Sequence, residues 1–233
     1  EKSEDLLRTT MDMTLQEATA WMDQTLSMLE TQRDAIEFSD MDVFTMMDYI
    51  KHTTGKNDSY PAGMYVALTT GALYHSSFVP GPDYDPRLKG WYQDGLESDG
   101  FILGDVYMDE ASQSYVVGAS GLLKTQTGAV RGVAAADLYL DAISNIVRDV
   151  RIEETGGIFL VDTRTDIIIG HPDKAMIGQK LGSASGSIYT YATGQIKSGA
   201  RGMSIYDNTY IQVEDVPGCD WTAVAYVSRS EVL

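Results

Sequence analysis

The sequence predicts an α+β fold with antiparallel sheets: one long helix, then two strand-rich segments built on the same plan. Three observations carry this. An apolar stripe of helical spacing runs through residues 1–37 without Gly or Pro. From about residue 64 the hydrophobic period becomes two. The order hairpin, short helix, three-strand run then occurs twice, with no βαβ alternation of the parallel kind.

Taken in order, Leu7, Met11, Leu15, Ala18, Met22, Leu26 and Leu29 form the stripe of the first helix, a face for covering a sheet or for dimerising. Asp40 is the expected N-cap of a second helix over about 40–54, stopped by Gly55-Lys56-Asn57-Asp58. Met64–Leu68 and Ala72–Ser76 flank Thr69-Thr70-Gly71 as a hairpin. A short helix is expected from Trp91 to Glu97, then strands at Phe101–Tyr107, Ser114–Leu123 and Val130–Leu138. Leu140–Arg151 reads as a helix with Ile143, Ile146, Val147 and Val150 on one face. The second half has a hairpin from Gly157–Asp162 and Asp166–Pro172, a helix over about 185–198, and strands at 201–207, 209–215 and 221–227.

Composition narrows the function. Seventeen Lys and Arg stand against 34 Asp and Glu in 233 residues, a net charge of −17. Nucleic acids and anionic membrane surfaces both attract positive charge, so neither is an expected partner. This balance suits a soluble domain facing the outside of a cell, although acidic cytosolic proteins are also common. The single cysteine, Cys219, permits no internal disulfide and sits in a turn, Pro217–Trp221. No run approaches the roughly 20 apolar residues that span a bilayer. The chain opens inside a helical pattern, which suggests a piece of a longer protein, so any membrane helices are expected outside this stretch of sequence.

Catalytic templates do not fit. His52, His75 and His171 lie far apart and outside any metal-ligand spacing. No nucleophile elbow, phosphate loop or dinucleotide fingerprint occurs. The expectation is a non-enzymatic protein with no catalytic residue, metal or cofactor.

What remains is a recognition kit. Tyr84-Asp85-Pro86-Arg87-Leu88-Lys89-Gly90-Trp91-Tyr92 brings three aromatic rings, two cations and a carboxylate into one shaped loop entering a helix. A small-ligand pocket is a physical reason for such a cluster. Lys89 offers a cation; Tyr84, Trp91, Tyr92 and Tyr107 offer ring faces; Asp109 and Asp137 offer carboxylates. Asp137 follows the apolar run Gly132–Ala136, where a carboxylate must be solvated, capping or paired. Two roles are open to it: N-cap of the helix beginning near Leu140, or counter-charge for a ligand ammonium. Arg87 is expected to pair with a nearby carboxylate and fix the loop.

The 84–92 run, Tyr107-Met108-Asp109 and Gly132–Asp137, in that order, resemble the double Cache (dCache) family of extracellular sensor domains of bacterial chemoreceptors and sensor kinases. Gly170-His171-Pro172, Met176-Ile177-Gly178 and the closing Trp221–Val227 are similar to the family's membrane-proximal lobe, so the resemblance covers nearly the whole chain. It implies two PAS-like lobes on a long N-terminal helix: helix 1–37, membrane-distal ligand-binding lobe 38–139, linking helix 140–152 and membrane-proximal lobe 153–233. It also implies a small-molecule ligand, most readily an amino acid, at Tyr84, Lys89, Trp91, Tyr92, Tyr107, Asp109 and Asp137, and a homodimer through the first helix. In the family's amino-acid-binding branch an arginine holds the ligand carboxylate; here that position is Lys89, a point charge on a flexible stem rather than a planar fork. A nucleobase, an amine or a small organic acid is therefore an alternative ligand. A dimerisation module without a ligand is the alternative of another class.

Overall fold

The computed structural model describes residues 2–232. Helix α1 runs over Lys2–Phe38, and Glu1, its expected first residue, lies outside the described residues. One face of α1 is buried within the chain: Leu7, Met11, Ala18, Met22, Leu29 and Ile36. The middle of that face differs from the expected stripe. Thr14 and Thr25 are buried, at 2% and 3% exposure, while Leu15 and Leu26 are half-buried at its flank. A helical row drifts, because 3.6 residues complete a turn, so Thr14 and Thr25 come onto the buried line and Leu15 and Leu26 move to its edge.

The next helix, α2, spans Val43–Thr53 and starts later than expected. Asp42 is its N-cap, accepting from Thr45 N at 2.8 Å. Asp40 is not a cap for α2: its φ of 44° is left-handed, and Met41 N bonds back to Ile36 O. It terminates α1 instead, since a left-handed residue closes one helix and cannot open the next.

Two five-stranded antiparallel sheets follow. The first contains β1 (Met64–Leu68), β2 (Leu73–Tyr74), β3 (Ile102–Met108), β4 (Tyr115–Lys124) and β5 (Val130–Tyr139), in the order β2-β1-β5-β4-β3. The short helix α3 (Gly90–Leu96) packs on it. Helix α4 (Leu140–Arg148) ends before the expected Arg151, where the chain turns into the Ile152–Gly156 bridge. The second sheet contains β6 (Gly157–Asp162), β7 (Ile167–Gly170), β8 (Gly202–Tyr206), β9 (Thr209–Asp215) and β10 (Trp221–Ser228), with helix α5 (Ser187–Ser198) beside it. Its order, β7-β6-β10-β9-β8, repeats the first sheet position for position.

The chain divides into two compact units. One comprises Met22–Tyr139; the other joins the residues up to Trp21 with those from Leu140 onward. In the first unit α1 is tied to the sheet by polar groups. Glu30 accepts from Phe101 N at 2.9 Å, Glu37 accepts from Lys124 N at 2.7 Å, and Arg33 donates to the Asp99 and Leu122 carbonyls. On α3, Gly95 is required by space: a Cβ there would lie 2.4 Å from Val133 Cγ1. That close approach seats Trp91 and Tyr92 against Tyr65, Ala67, Val133 and Ala135. In the other unit Phe159, Val161, Ile168, Ile211, Val213 and Val224 form the core, and Trp21 stacks on Trp221 with centroids 6.1 Å apart.

Candidate ligand-binding site

The site is built on the central strands of the first sheet. Asp137 lies on β5, 6% exposed. Its Oδ1 accepts from Tyr65 Oη at 2.9 Å and from the Tyr107 hydroxyl. It therefore serves the sheet interior and not the N-terminus of α4, which removes the capping role. Tyr107 reaches it from β3, two strands away, a span of roughly 10 Å. The intervening strand allows this because Gly118, the β4 partner of Asp137, has no side chain: a Cβ there would meet Tyr107 Cε1 at 3.2 Å.

Burial pushes the Asp137 carboxyl up to about 6, with the two phenol donors opposing and the nearby Asp109 charge adding to the rise. Burial beside this carboxylate also drives the Tyr65 and Tyr107 phenols far upward, so both stay protonated donors. Among the described residues no Lys, Arg or His pairs with Asp137. The arrangement is a buried acceptor held by two neutral donors, with no cation of its own.

Aromatic rings extend from it. Tyr65 meets Trp91 edge-on at 5.0 Å and stacks on His75 at 5.0 Å. His75 contacts Phe78 at 5.9 Å, and Phe78 contacts Tyr84 at 5.2 Å. Tyr84 is hydrogen-bonded to the Trp91 side chain, and burial pushes its phenol up to about 12. Next to Tyr84 lies an open cavity of about 430 Å³, lined by Pro82, Asp83, Tyr84, Leu88, Lys89 and Glu110 among others. Lys89 Nζ lies 4.8 Å above the Tyr84 ring and 3.4 Å from Glu110 Oε1. Asp85 caps the turn at Pro86–Leu88 and pairs with Arg87 at 2.8 Å, while Arg87 donates to Thr69 O. Arg87 thus fixes the loop as expected.

The structure joins Tyr107 and Asp137 by a hydrogen bond, with Trp91 and Tyr84 connected to them through Tyr65 and the indole. Lys89 stands at the cavity beside Tyr84. Asp109 is near, but its carboxylate accepts from Ala111 N and Ser112 N and shapes the 109–112 turn. Tyr92 is buried in the apolar cluster against Ala67 and Val133; its ring contacts Trp91 at 6.0 Å, and no hydrogen bond joins it to Asp137 among the described residues. Three residues escaped the sequence reading: Tyr65, His75 and Phe78. Tyr65 looks like any alternating strand residue, and the spacing of His75 speaks only against a metal-ligand role. The local signal available was the run of rings at positions 74, 75, 78 and 84.

One long helix followed by a five-stranded antiparallel sheet of the same order twice over is the architecture of the double Cache class. The chain belongs to the Cache domain family, whose model matches residues 1–233. It is similar to the methyl-accepting chemotaxis protein PscA of Pseudomonas syringae pv. tomato, 26% identical over 173 residues, or 74% of this chain and 27% of that protein. The chain thus spans about a quarter of the length of the curated relatives it matches. Among solved structures, the ligand-binding domain of Pseudomonas fluorescens chemoreceptor CtaA with L-isoleucine superposes with a TM-score of 0.74 at 19% identity, covering 99% of this chain and 94% of that one. That of the Pseudomonas aeruginosa PAO1 amino acid chemoreceptor PctC with GABA gives 0.75 at 20% identity, covering 97% and 99%. At these identities the superpositions speak for the fold.

Proposed function

We propose that this chain is the extracellular ligand-binding domain of a bacterial transmembrane chemoreceptor, and that its first sheet binds a small metabolite with an ammonium group, most readily an amino acid. One observation carries the reading: Asp137 is buried and bonded to two phenols, and among the described residues no Lys, Arg or His pairs with it. Leaving a carboxylate so placed is unfavourable unless a cation arrives. A ligand ammonium supplies it, held by Asp137 with Tyr107 and Tyr65 beside it and Asp109 adding negative charge. Trp91 and Tyr84 wall the ligand, Lys89 neutralises its carboxylate, and Tyr92 packs the wall from behind.

The chemoreceptor assignment draws support from the relatives, and the amino acid from the ligands named with the CtaA and PctC domains. Residues 38–139 are the membrane-distal lobe in this reading and 153–233 the proximal one, joined by the 140–152 segment that contains α4. No described helix is long and apolar enough to cross a membrane; the flanking membrane helices lie outside this sequence, and the receptor pairs through α1. No bond is made or broken and no cofactor takes part. Binding favours the ligand-competent conformer of the distal lobe, which shifts a two-state equilibrium. Lys89 favours a second ligand class: its ammonium already faces Glu110, which leaves room for an amine without a carboxylate.

Isothermal titration against L-amino acids, simple amines, nucleobases and organic acids tests this. Binding of an amino acid or amine, lost in Asp137→Ala, is expected; binding of nucleobases or acids alone would overturn it.

A further inference from the structure

The two sheets share one topology, and each carries a histidine directly after its edge strand: His75 after β2 and His171 after β7. Each ring stacks on an aromatic residue of the neighbouring strand at an interplanar angle of 27°, His75 on Tyr65 and His171 on Phe159. Each Nδ1 accepts a backbone N–H from two residues ahead. For His75 the donors are Ser77 N at 3.1 Å and Phe78 N at 3.0 Å; for His171 the donor is Asp173 N at 2.8 Å. An Nδ1 that accepts must carry its lone pair, so the neutral ring holds its proton on Nε2.

The copies differ at Nε2. That of His171 meets Tyr189 Oη at 2.9 Å and is satisfied. That of His75 meets no group among the described residues. Its ring lies between Tyr65, which donates to Asp137, and Phe78, which touches Tyr84, and the Asp109 carboxylate is close enough to oppose the downward pull of burial on its proton affinity. His75 is therefore a donor oriented by backbone and stacking, packed on the Tyr65 ring whose hydroxyl holds Asp137.

We propose that His75 Nε2–H sets specificity at this site by hydrogen-bonding a side-chain acceptor of the bound amino acid, so that amide side chains are preferred over aliphatic ones of the same shape. The inference rests on the ammonium site at Asp137. A polar donor in a pocket wall discriminates because an aliphatic ligand leaves it unpaired.

The test uses L-asparagine and its near-isostere L-leucine, titrated into the wild-type domain and into His75→Asn. Asn at 75 can still accept from Ser77 N and Phe78 N through its own carbonyl, keeping the turn while withdrawing Nε2–H. The asparagine-to-leucine affinity ratio is expected to exceed one in the wild type and to fall about tenfold in the variant. A ratio unchanged by the substitution, or a wild type that prefers leucine, overturns the assignment. If neither these nor any other amino acid binds the wild type, the ammonium-site reading itself fails and this one with it. A second measurement needs no variant: ¹⁵N NMR of the wild-type imidazoles is expected to show His75 as the Nε2–H tautomer, with that proton shifting downfield on addition of asparagine. The Nδ1–H tautomer, or no shift at saturation, overturns the proposal.

Discussion

Tyr65 Oη donates to Asp137 Oδ1 at 2.9 Å across adjacent strands β1 and β5, joining residues 72 positions apart in the chain. The Tyr107 hydroxyl completes the arrangement over Gly118. A buried carboxylate held only by neutral donors is poised for a cation and strained without one.

That strain has a stability signature. The folded Asp137 pKa, raised to about 6, lies above the value of about 4 for an unfolded carboxyl. Its stabilising contribution is fully present below the unfolded value and is lost as pH rises through 6. The shift corresponds to at most about 3 kcal/mol. Asp137→Asn should therefore be more stable than wild type at pH 7.5, with the difference vanishing near pH 4. Ligand-free thermal melts across that range give the comparison.

Ligand affinity should move the other way with pH. An ammonium binds the ionised carboxylate, so below pH 6 binding must first remove a proton. The Kd of an amino acid is expected to rise about tenfold per pH unit there and to level off above 7. Titrations at pH 5 in buffers of different ionisation enthalpy should report proton release; equal heats would contradict it. Tyr65, Tyr107, Asp109 and His75 also face this region; burial drives both phenols far upward and pulls the His75 imidazole below its usual range.

Lys89 should matter to binding and little to folding. Its pair with Glu110 is exposed, and such pairs contribute about 0–1 kcal/mol. Lys89→Ala should leave the melting temperature nearly unchanged and weaken an amino acid about tenfold, with no effect on the corresponding decarboxylated amine. Lys89→Arg, which supplies a planar fork, should tighten the amino acid alone. Paired titrations with amino acid and amine separate these outcomes.

The turn between α1 and α2 offers a control away from the site. Asp42→Ala removes the N-cap and should cost about 1 kcal/mol. Asp40→Gly relieves a left-handed non-glycine residue and should be neutral or stabilising by up to about 1 kcal/mol. Denaturant unfolding of both variants checks the pair; equal destabilisation would contradict the cap assignment.

Most elements were legible because they rest on local periodicity and turn chemistry. The long helix, both hairpins and the three-strand runs lie within a few residues of where the pattern puts them. Details that depend on neighbours differ. Thr14 and Thr25 occupy the buried row in place of Leu15 and Leu26, and Asp40 closes α1 while Asp42 opens α2.

The candidate site divides the same way. Adjacent residues alone make Tyr84–Tyr92 a shaped aromatic loop, put Asp137 at the end of an apolar run and give the two halves one plan. It took the folded chain to show that Asp137 answers Tyr65 and Tyr107 and does not cap a helix, that Tyr92 packs in the apolar cluster, and that His75 Nε2 meets no group among the described residues. Those relationships arise from strand order, register and the missing side chain at Gly118. They join residues far apart in the chain, which no local period records.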